Sequence, residues 1–249
     1  MRQQKDLRSE WQLAVENNIH LCGAVLNGQN LPSAKTTHDW HCFVKAPPYY
    51  PNIITRSRKW KPDVAFELIG KTAIMEQWDG WSIKDSYACL DLASAGFKKL
   101  FDAKWVFLSH QNFCASKLKS SVKFKVIGGS VELARWCAAW DSGGELGAKI
   151  FHTDLLNNQE LYFIVGYDGH RFVVGCLLNW SGSCVGVSNF FSQTDQNLAW
   201  SGLVEFIYAQ FGQVHVVGYV RAEIYKSLVQ FGYEAVGELA VLVKARSIT

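Results

Sequence analysis

Seven cysteines and seven histidines are the residues to test first for chemistry. His38, His41 and Cys42 form an H-x-x-H-C run, with Cys22 upstream. Thiolate and imidazole hold structural zinc at set spacings, as in paired C-x-x-C and H-x-x-x-H elements. This run matches none of them and Trp40 interrupts it, so no metal is expected. Cys22, Cys42, Cys89, Cys114, Cys137, Cys176 and Cys184 are odd in number, scattered and free of C-x-x-C. That pattern argues against a disulfide framework and fits buried thiols in a reducing compartment. Cysteine–histidine catalysis needs a thiolate beside a base with an orienting third group. Chance pairings are plentiful here and none carries a local signature. G-x-S-x-G, a P-loop and a strand-linked G-x-G-x-x-G are all absent from the sequence.

The elements that must position any site belong to a chain of 249 residues, enough for two compact units. Apolar residues make up 49% and charged residues 19%, a globular balance that excludes disorder. Ten Trp, nine Tyr and fifteen Phe point to well-filled cores or an aromatic-lined cleft. No apolar run approaches the length that spans a bilayer, so no membrane partner is expected. The polar start MRQQKDLRSEWQ lacks an apolar signal region, which leads to a cytoplasmic expectation. Residues 1–125 carry 18 Lys/Arg against 11 Asp/Glu, and residues 126–249 carry 7 against 11. Part of the basic excess lies in Lys117–Lys125, too thin a cluster for a nucleic-acid surface. It reads as a solvated linker or an exposed strand face, and with Gly128-Gly129 it marks a boundary between domains 1–125 and 126–249.

The second domain has the clearer periodicity. A helix is expected from Ser130, as N-cap with Glu132 in the first turn, and it repeats Leu133, Trp136, Cys137 and Trp140 on one face. After Gly143-Gly144 a second helix covers Glu145 to Leu156. Two apolar runs, 161–166 and 171–178, flank Asp168-Gly169 and predict a hairpin. A third strand, Cys184–Phe191, follows the turn at Ser181-Gly182. A helix with Trp200, Leu203, Val204, Ile207 and Phe211 on one face ends at Gly212. Then come a strand (215–220), a helix (222–231) stopped by Gly232, and a strand (238–244). This order defines an α/β unit with a mixed sheet. In the first domain a helix over Leu7–Asn17, with its end left open to run further, strands at 41–45, 53–55 and 73–78, and a helix at 63–70 are expected. Laying Gly96-Phe97 on Gly232-Tyr233 aligns Leu92 with Leu228, Ala103 with Leu239 and Val106 with Leu242, which reads as an internal repeat.

Residues 130–249 resemble the GNAT superfamily of acyl-CoA-dependent N-acetyltransferases. The resemblance rests on element order, the small-residue step after Asn189, and Leu228-Val-Gln-Phe-Gly-Tyr233, which is similar to the family's Y-x-x-x-G-F close. Val185-Gly-Val-Ser-Asn-Phe190, Val217-Gly-Tyr219 and Gly232–Leu239 resemble a bacterial branch of it. Through the repeat, the first domain becomes a degenerate second copy of the same fold.

The resemblance implies a specific arrangement. Two neighbouring strands splay, so that unpaired backbone can bind the amides of pantetheine like an added strand. The next helix aims its N-terminal N–H groups at the diphosphate. An acyl-CoA, acetyl-CoA or another, is implied as co-substrate, with an amine on a small molecule or peptide as acceptor. Gln196-Asn-Leu-Ala-Trp-Ser201 corresponds to the family's Q/R-x-x-G-x-G/A loop, with Ala199 and Ser201 at the small positions, Gly202 one position late and Asp195 just upstream. A phosphate cradle and a plain helix start capped by Asp195 both remain open. Cofactor contacts are expected from Ser188, Phe190, Phe191, Gln196, Leu198, Ala199, Trp200, Ser201 and Arg221. The position that in the family carries the tyrosine acid is Leu228 here, so Tyr219 and Tyr225 are the candidate acids, and Asn189 joins them where acyl group and amine would meet. Two readings stay open: an N-acyltransferase, and a catalytically degenerate module that binds a small ligand or a protein.

Overall fold

The computed structural model describes residues 9–42, 44–63, 80–116 and 120–245. In chain order the elements are helix α1 (Glu10–Asn27) and strands β1 (Ala34–Lys35), β2 (Asp39–His41), β3 (Ile53–Thr55), β4 (Gly80–Asp85), β5 (Lys98–Leu108) and β6 (Lys123–Val126). Helices α2 (Ser130–Trp140) and α3 (Glu145–Ile150) precede strands β7 (Leu161–Asp168), β8 (Arg171–Trp180) and β9 (Cys184–Ser192). Helix α4 (Gln196–Phe211), strand β10 (His215–Val220), helix α5 (Ala222–Leu228) and strand β11 (Glu234–Ala245) complete the chain. Two compact units result, unit 1 from residues 1–21 and 104–236 and unit 2 from residues 22–103 and 237–249. Residue 125, at the boundary expected from charge, lies in β6 of unit 1.

In unit 1 the strands run in the order β5-β10-β9-β8-β7-β6. All neighbours are antiparallel except β9 and β10, which are parallel. Period-2 alternation sends Ile164, Cys176, Leu178, Val185, Val187 and Val216 to one face, where they share a core with Trp200, Leu203, Val204 and Ile207 of α4. Each such apolar side chain taken out of water contributes about 1.5–3 kcal/mol, which holds α4 on the sheet. The opposite face carries Phe163 and Phe191, whose rings meet Trp136 of α2 edge-on at 5.2 and 5.4 Å. Gly147 lets α3 lie against α2, since a Cβ there would stand 2.7 Å from Cys137 Cβ. The hairpin joining β7 and β8 turns on Gly169-His170, with Asp168 paired to Arg171, one residue later than Asp168-Gly169. Gly129, not Ser130, caps α2, and Glu132 accepts instead from Lys125 and the Gly128 amide. Helix α3 ends at Ile150 because Phe151 and His152 leave helical geometry, and a 3-10 turn over Thr153–Asn157 takes the rest of the expected helix.

Unit 2 has the order β1-β2-β3-β4-β11-β5, with β3 and β4 parallel and β4 antiparallel to β11. Its core gathers Ile53, Trp60, Trp81, Ile83, Leu92, Phe97, Ala240 and Leu242. Asp85, 1% exposed, accepts the amides of Tyr87, Cys89 and Leu90 and ties down the loop after β4. The first strand differs from expectation: β2 covers Asp39–His41, and the Cys42 amide still donates to the Asn52 carbonyl at 2.7 Å beyond it. Helix α1 starts later and runs ten residues further than Asn17. Its start is a capping box that the periodicity did not show: the Gln12 amide donates to Ser9 Oγ and the Ser9 amide to Gln12 Oε1. Of the helix expected over 63–70 only Asp63 is described, in helical conformation; the rest of it and the strand over 73–78 lie outside the described residues.

The two segments of the internal repeat share a local geometry. A 3-10 turn ends at Gly96 (φ 82°, ψ 12°) and another at Gly232 (φ 92°, ψ 11°), each followed by a buried aromatic and a strand. Before Gly96 only that short turn forms, where the repeat implied a longer helix.

Candidate active site

Strands β9 and β10 are joined over three residues only, with Cys184, Val185 and Gly186 opposite His215, Val216 and Val217. Beyond that they part. β9 continues to Ser192 along β8, and β10 continues to Val220 along β5, where Tyr219 lies opposite Trp105 and Val220 opposite Lys104. The cause sits in β9. Its pairing with β8 shifts between Leu177–Ser188 and Gly175–Phe191, so β9 holds one residue more than its partner over that stretch. Asn189 adopts φ 51°, a left-handed conformation that asparagine tolerates better than most residues. A bulge bends the strand that carries it. Ser188 Oγ donates to the Leu177 carbonyl at 3.2 Å and accepts from Asn189 Nδ2 at 3.3 Å, which closes the bulge. At the base of the fork, a Cβ on Gly218 would lie 2.9 Å from the Val187 carbonyl oxygen, so the missing side chain is what seats β10 there.

At Gly186, the last joined residue before the parting, α1 is keyed to the sheet. Asn17 Nδ2 donates to the Asn179 carbonyl and to Ser181 Oγ, and Asn179 Nδ2 donates back to the Asn17 carbonyl at 2.9 Å. Asn17 Oδ1 occupies the space that a side chain at residue 186 would need, 1.9 Å from the site of its Cβ. Sequence reading missed this cluster and Gly218. The repeated Val-Gly steps at 185–186 and 217–218 were the available signal.

The expected site residues fall into separate places. Phe190 stacks on Trp200, with ring centroids 4.2 Å apart, and belongs to the α4 side. Phe191 points the other way, into the ring cluster with Trp136 and over Gly175, and is packing. Ala199 and Trp200 are buried beneath the start of α4, and Ser201, 2% exposed, accepts the Ser116 amide at 2.9 Å. Asp195 is the N-cap: its Oδ1 accepts the Leu198 amide at 2.9 Å. Gln196 and Arg221 are exposed. Tyr219 meets Trp105 edge-on at 5.6 Å, whereas Tyr225 belongs to the core on the α4 face, so the two phenols lie on opposite faces of the sheet. Tyr225 Oη accepts the Ala235 amide at 3.2 Å and keeps its own proton to donate. Leu228 is fully buried.

Outside the fork, the H-x-x-H-C run forms no metal cluster; among the described residues no three His, Cys, Asp or Glu side chains gather as ligands. His41 Nδ1 pairs with Asp39 Oδ1 at 3.0 Å instead, and the Cys42 thiol donates to the Val44 carbonyl. All seven cysteines are free, but Cys89 and Cys114 are exposed, a correction to the expectation of buried thiols throughout. No helix among the described residues is long and apolar enough to cross a membrane.

The fold is that of the GCN5-related N-acetyltransferases. One similar solved structure is a GCN5-related N-acetyltransferase from Kribbella flavida, at 14% identity, over 92% of this chain and 96% of that one, with a TM-score of 0.61. Another, from Sphaerobacter thermophilus, shares 12% identity over 78% of this chain and 72% of its own, with a TM-score of 0.53. A functionally unknown conserved protein from Staphylococcus epidermidis matches at 12% identity over 88% and 95% of the two chains, with a TM-score of 0.66. No protein-family model and no curated protein matches the sequence.

Proposed function

We propose that the chain is an acyl-CoA-dependent N-acyltransferase acting on an amine of a small molecule or peptide, with the acyl thioester in the fork of unit 1. One observation carries this reading: the pairing of β9 and β10 stops after Gly186 and Val217 and leaves a strand edge open. A chain with spaced amides, such as pantetheine, can add to that edge as a strand adds to a sheet. The acceptor's nitrogen attacks the thioester carbonyl, the C–N bond forms as the C–S bond breaks, and the sulfur leaves with the electron pair. That thiolate takes a proton from Tyr219 or Tyr225, and the amine's surplus proton passes to a base or water. Asn189, at the bulge, stands where the acyl group would turn toward the acceptor. Residues 1–125 are proposed as a degenerate copy, on the support of the matching geometry at Gly96 and Gly232.

The acceptor-independent test is calorimetric titration with acetyl-CoA, with melting temperature followed alongside. Heat and a rise in melting temperature are expected, and neither at millimolar acetyl-CoA would remove the assignment. A second reading, a binding module without turnover, is favoured by Leu228, buried where the family's acid stands. The two separate on product formation: with an amine panel, the enzyme reading expects acylated product and its loss in Tyr219→Phe/Tyr225→Phe. Binding without product from any amine selects the module.

A further inference from the structure

The open edge of β9 and the start of α4 differ in what they offer an acyl-CoA. The edge is unpaired backbone; at the helix start the Leu198 amide is capped by Asp195. Asp195 Oδ1 accepts the Leu198 amide at 2.9 Å, so a carboxylate of the chain itself stands at the helix start, where it disfavours a second anion. Ser201, at the second small position of the expected loop, has its hydroxyl engaged by the Ser116 amide and is buried. The sequence supplies an independent observation. Between Arg171 and Arg221 there is no Lys or Arg, so β9, α4 and β10 carry none, and the acids of the stretch are Asp195 and Glu205. The described cations bordering the fork stand at the far end of β10, Arg221 after its last residue and Lys104 opposite Val220, 6.0 Å from the Tyr225 ring. A nucleotide diphosphate is strongly anionic, and gripping one takes cations or free helix N–H groups. At this helix start the charged side chain on the helix cap itself is the Asp195 carboxylate.

We propose that the fork binds its acyl donor by the pantetheine arm alone and leaves the nucleotide diphosphate ungripped in solvent. This rests on the acyltransferase reading and narrows its donor class to acyl-pantetheine thioesters, with the nucleotide incidental. Asparagine caps a helix as well as aspartate, so Asp195→Asn removes the charge while keeping the helix start.

The test compares acetyl-CoA with S-acetyl-pantetheine by calorimetry, on the full chain and on Asp195→Asn, at low and at high salt. Dissociation constants within threefold of one another are expected for the two donors on the wild-type chain. Asp195→Asn should tighten acetyl-CoA at least fivefold at low salt and change acetyl-pantetheine less than twofold. Added salt should not weaken acetyl-CoA on the wild-type chain. Acetyl-CoA bound more than 30-fold tighter than acetyl-pantetheine, and weakened by salt, would overturn the proposal while leaving the acyltransferase reading in place. Failure of both donors to bind would overturn the two together.

Discussion

Gly218→Ala is the most direct challenge to the fork. The added methyl would stand 2.9 Å from the Val187 carbonyl oxygen. A relaxed carbon–oxygen contact is about 3.3–3.6 Å, so one strand must move by roughly half an ångström. Neither can do so freely, because β10 is paired to β5 from Val216 to Val220 and β9 to β8. Overpacking of this kind costs about 1–3 kcal/mol. For a chain of this size each kcal/mol lowers the melting temperature by about 2–4 °C. Gly143→Ala is the control, since no atom lies within 4 Å of a Cβ there, and its effect should stay within about 0.5 kcal/mol. Circular dichroism melts and denaturant unfolding supply the stabilities, and acetyl-pantetheine titration reads the consequence at the open edge. A Gly218→Ala protein that melts with Gly143→Ala and binds as tightly as wild type would refute the idea that this contact seats β10 against β9 at the base of the fork.

Other substitutions probe the elements around the site. Gly232→Ala should destabilise far more than Gly96→Ala: both need positive φ, worth about 1 kcal/mol, but a Cβ at 232 meets the Asn112 carbonyl at 2.0 Å, whereas at 96 it meets only the flexible end of Lys244. Comparable losses in denaturant unfolding would sink that distinction. Burial raises the Asp141 carboxyl, but the amides of Gly147, Gly144 and Gly143 outweigh it and hold the group below the usual carboxylate range. The folded state therefore favours the charged form, so this stabilisation is present above about pH 4 and drains as the pH falls below it. Asp141→Ala should cost about 1 kcal/mol at neutral pH, as lost caps do, and flatten stability below pH 4; an unchanged profile would count against it. Burial, with His110 beside it, pushes the His215 imidazole below its ordinary value. As the pH drops below about 6.5 the unfolded chain gains more protons than the folded one, so melting temperature should fall, and His215→Phe should blunt that fall. At Asn189, glycine should be tolerated and valine should cost about 1–3 kcal/mol, because a β-branched residue strains at φ 51°. Equal melting temperatures for the two would argue against the bulge.

Local signals located most of unit 1. Asp168-Gly169 between apolar runs marked a hairpin, and the spacing of Trp200, Leu203, Val204 and Ile207 marked α4 and its buried face. Asp195 was legible as a cap because a short acid before a periodic run has few other uses. Ser9 and Gln12, with the same kind of signal, start α1, but their pairing lies before the apolar periodicity and was overlooked. In unit 2 the strand read at 53–55 is β3, whereas β1 was not legible and β2 lies at Asp39–His41 rather than 41–45, because strands of two or three residues show little period.

Residue types by themselves determined the order of helices and strands in the second half, the glycine stops at 212 and 232, and the absence of any cation from Phe172 to Val220. These follow from neighbours along the chain, whose spacing and backbone freedom act over a few residues. Only the tertiary structure decided that β9 and β10 meet for three residues and then separate, that Tyr219 and Tyr225 face opposite ways, and that Asn17 fills the space above Gly186. Each of these depends on backbones distant in sequence reaching the same place. Whether two such segments fit is settled by packing across the sheet, which no local period encodes.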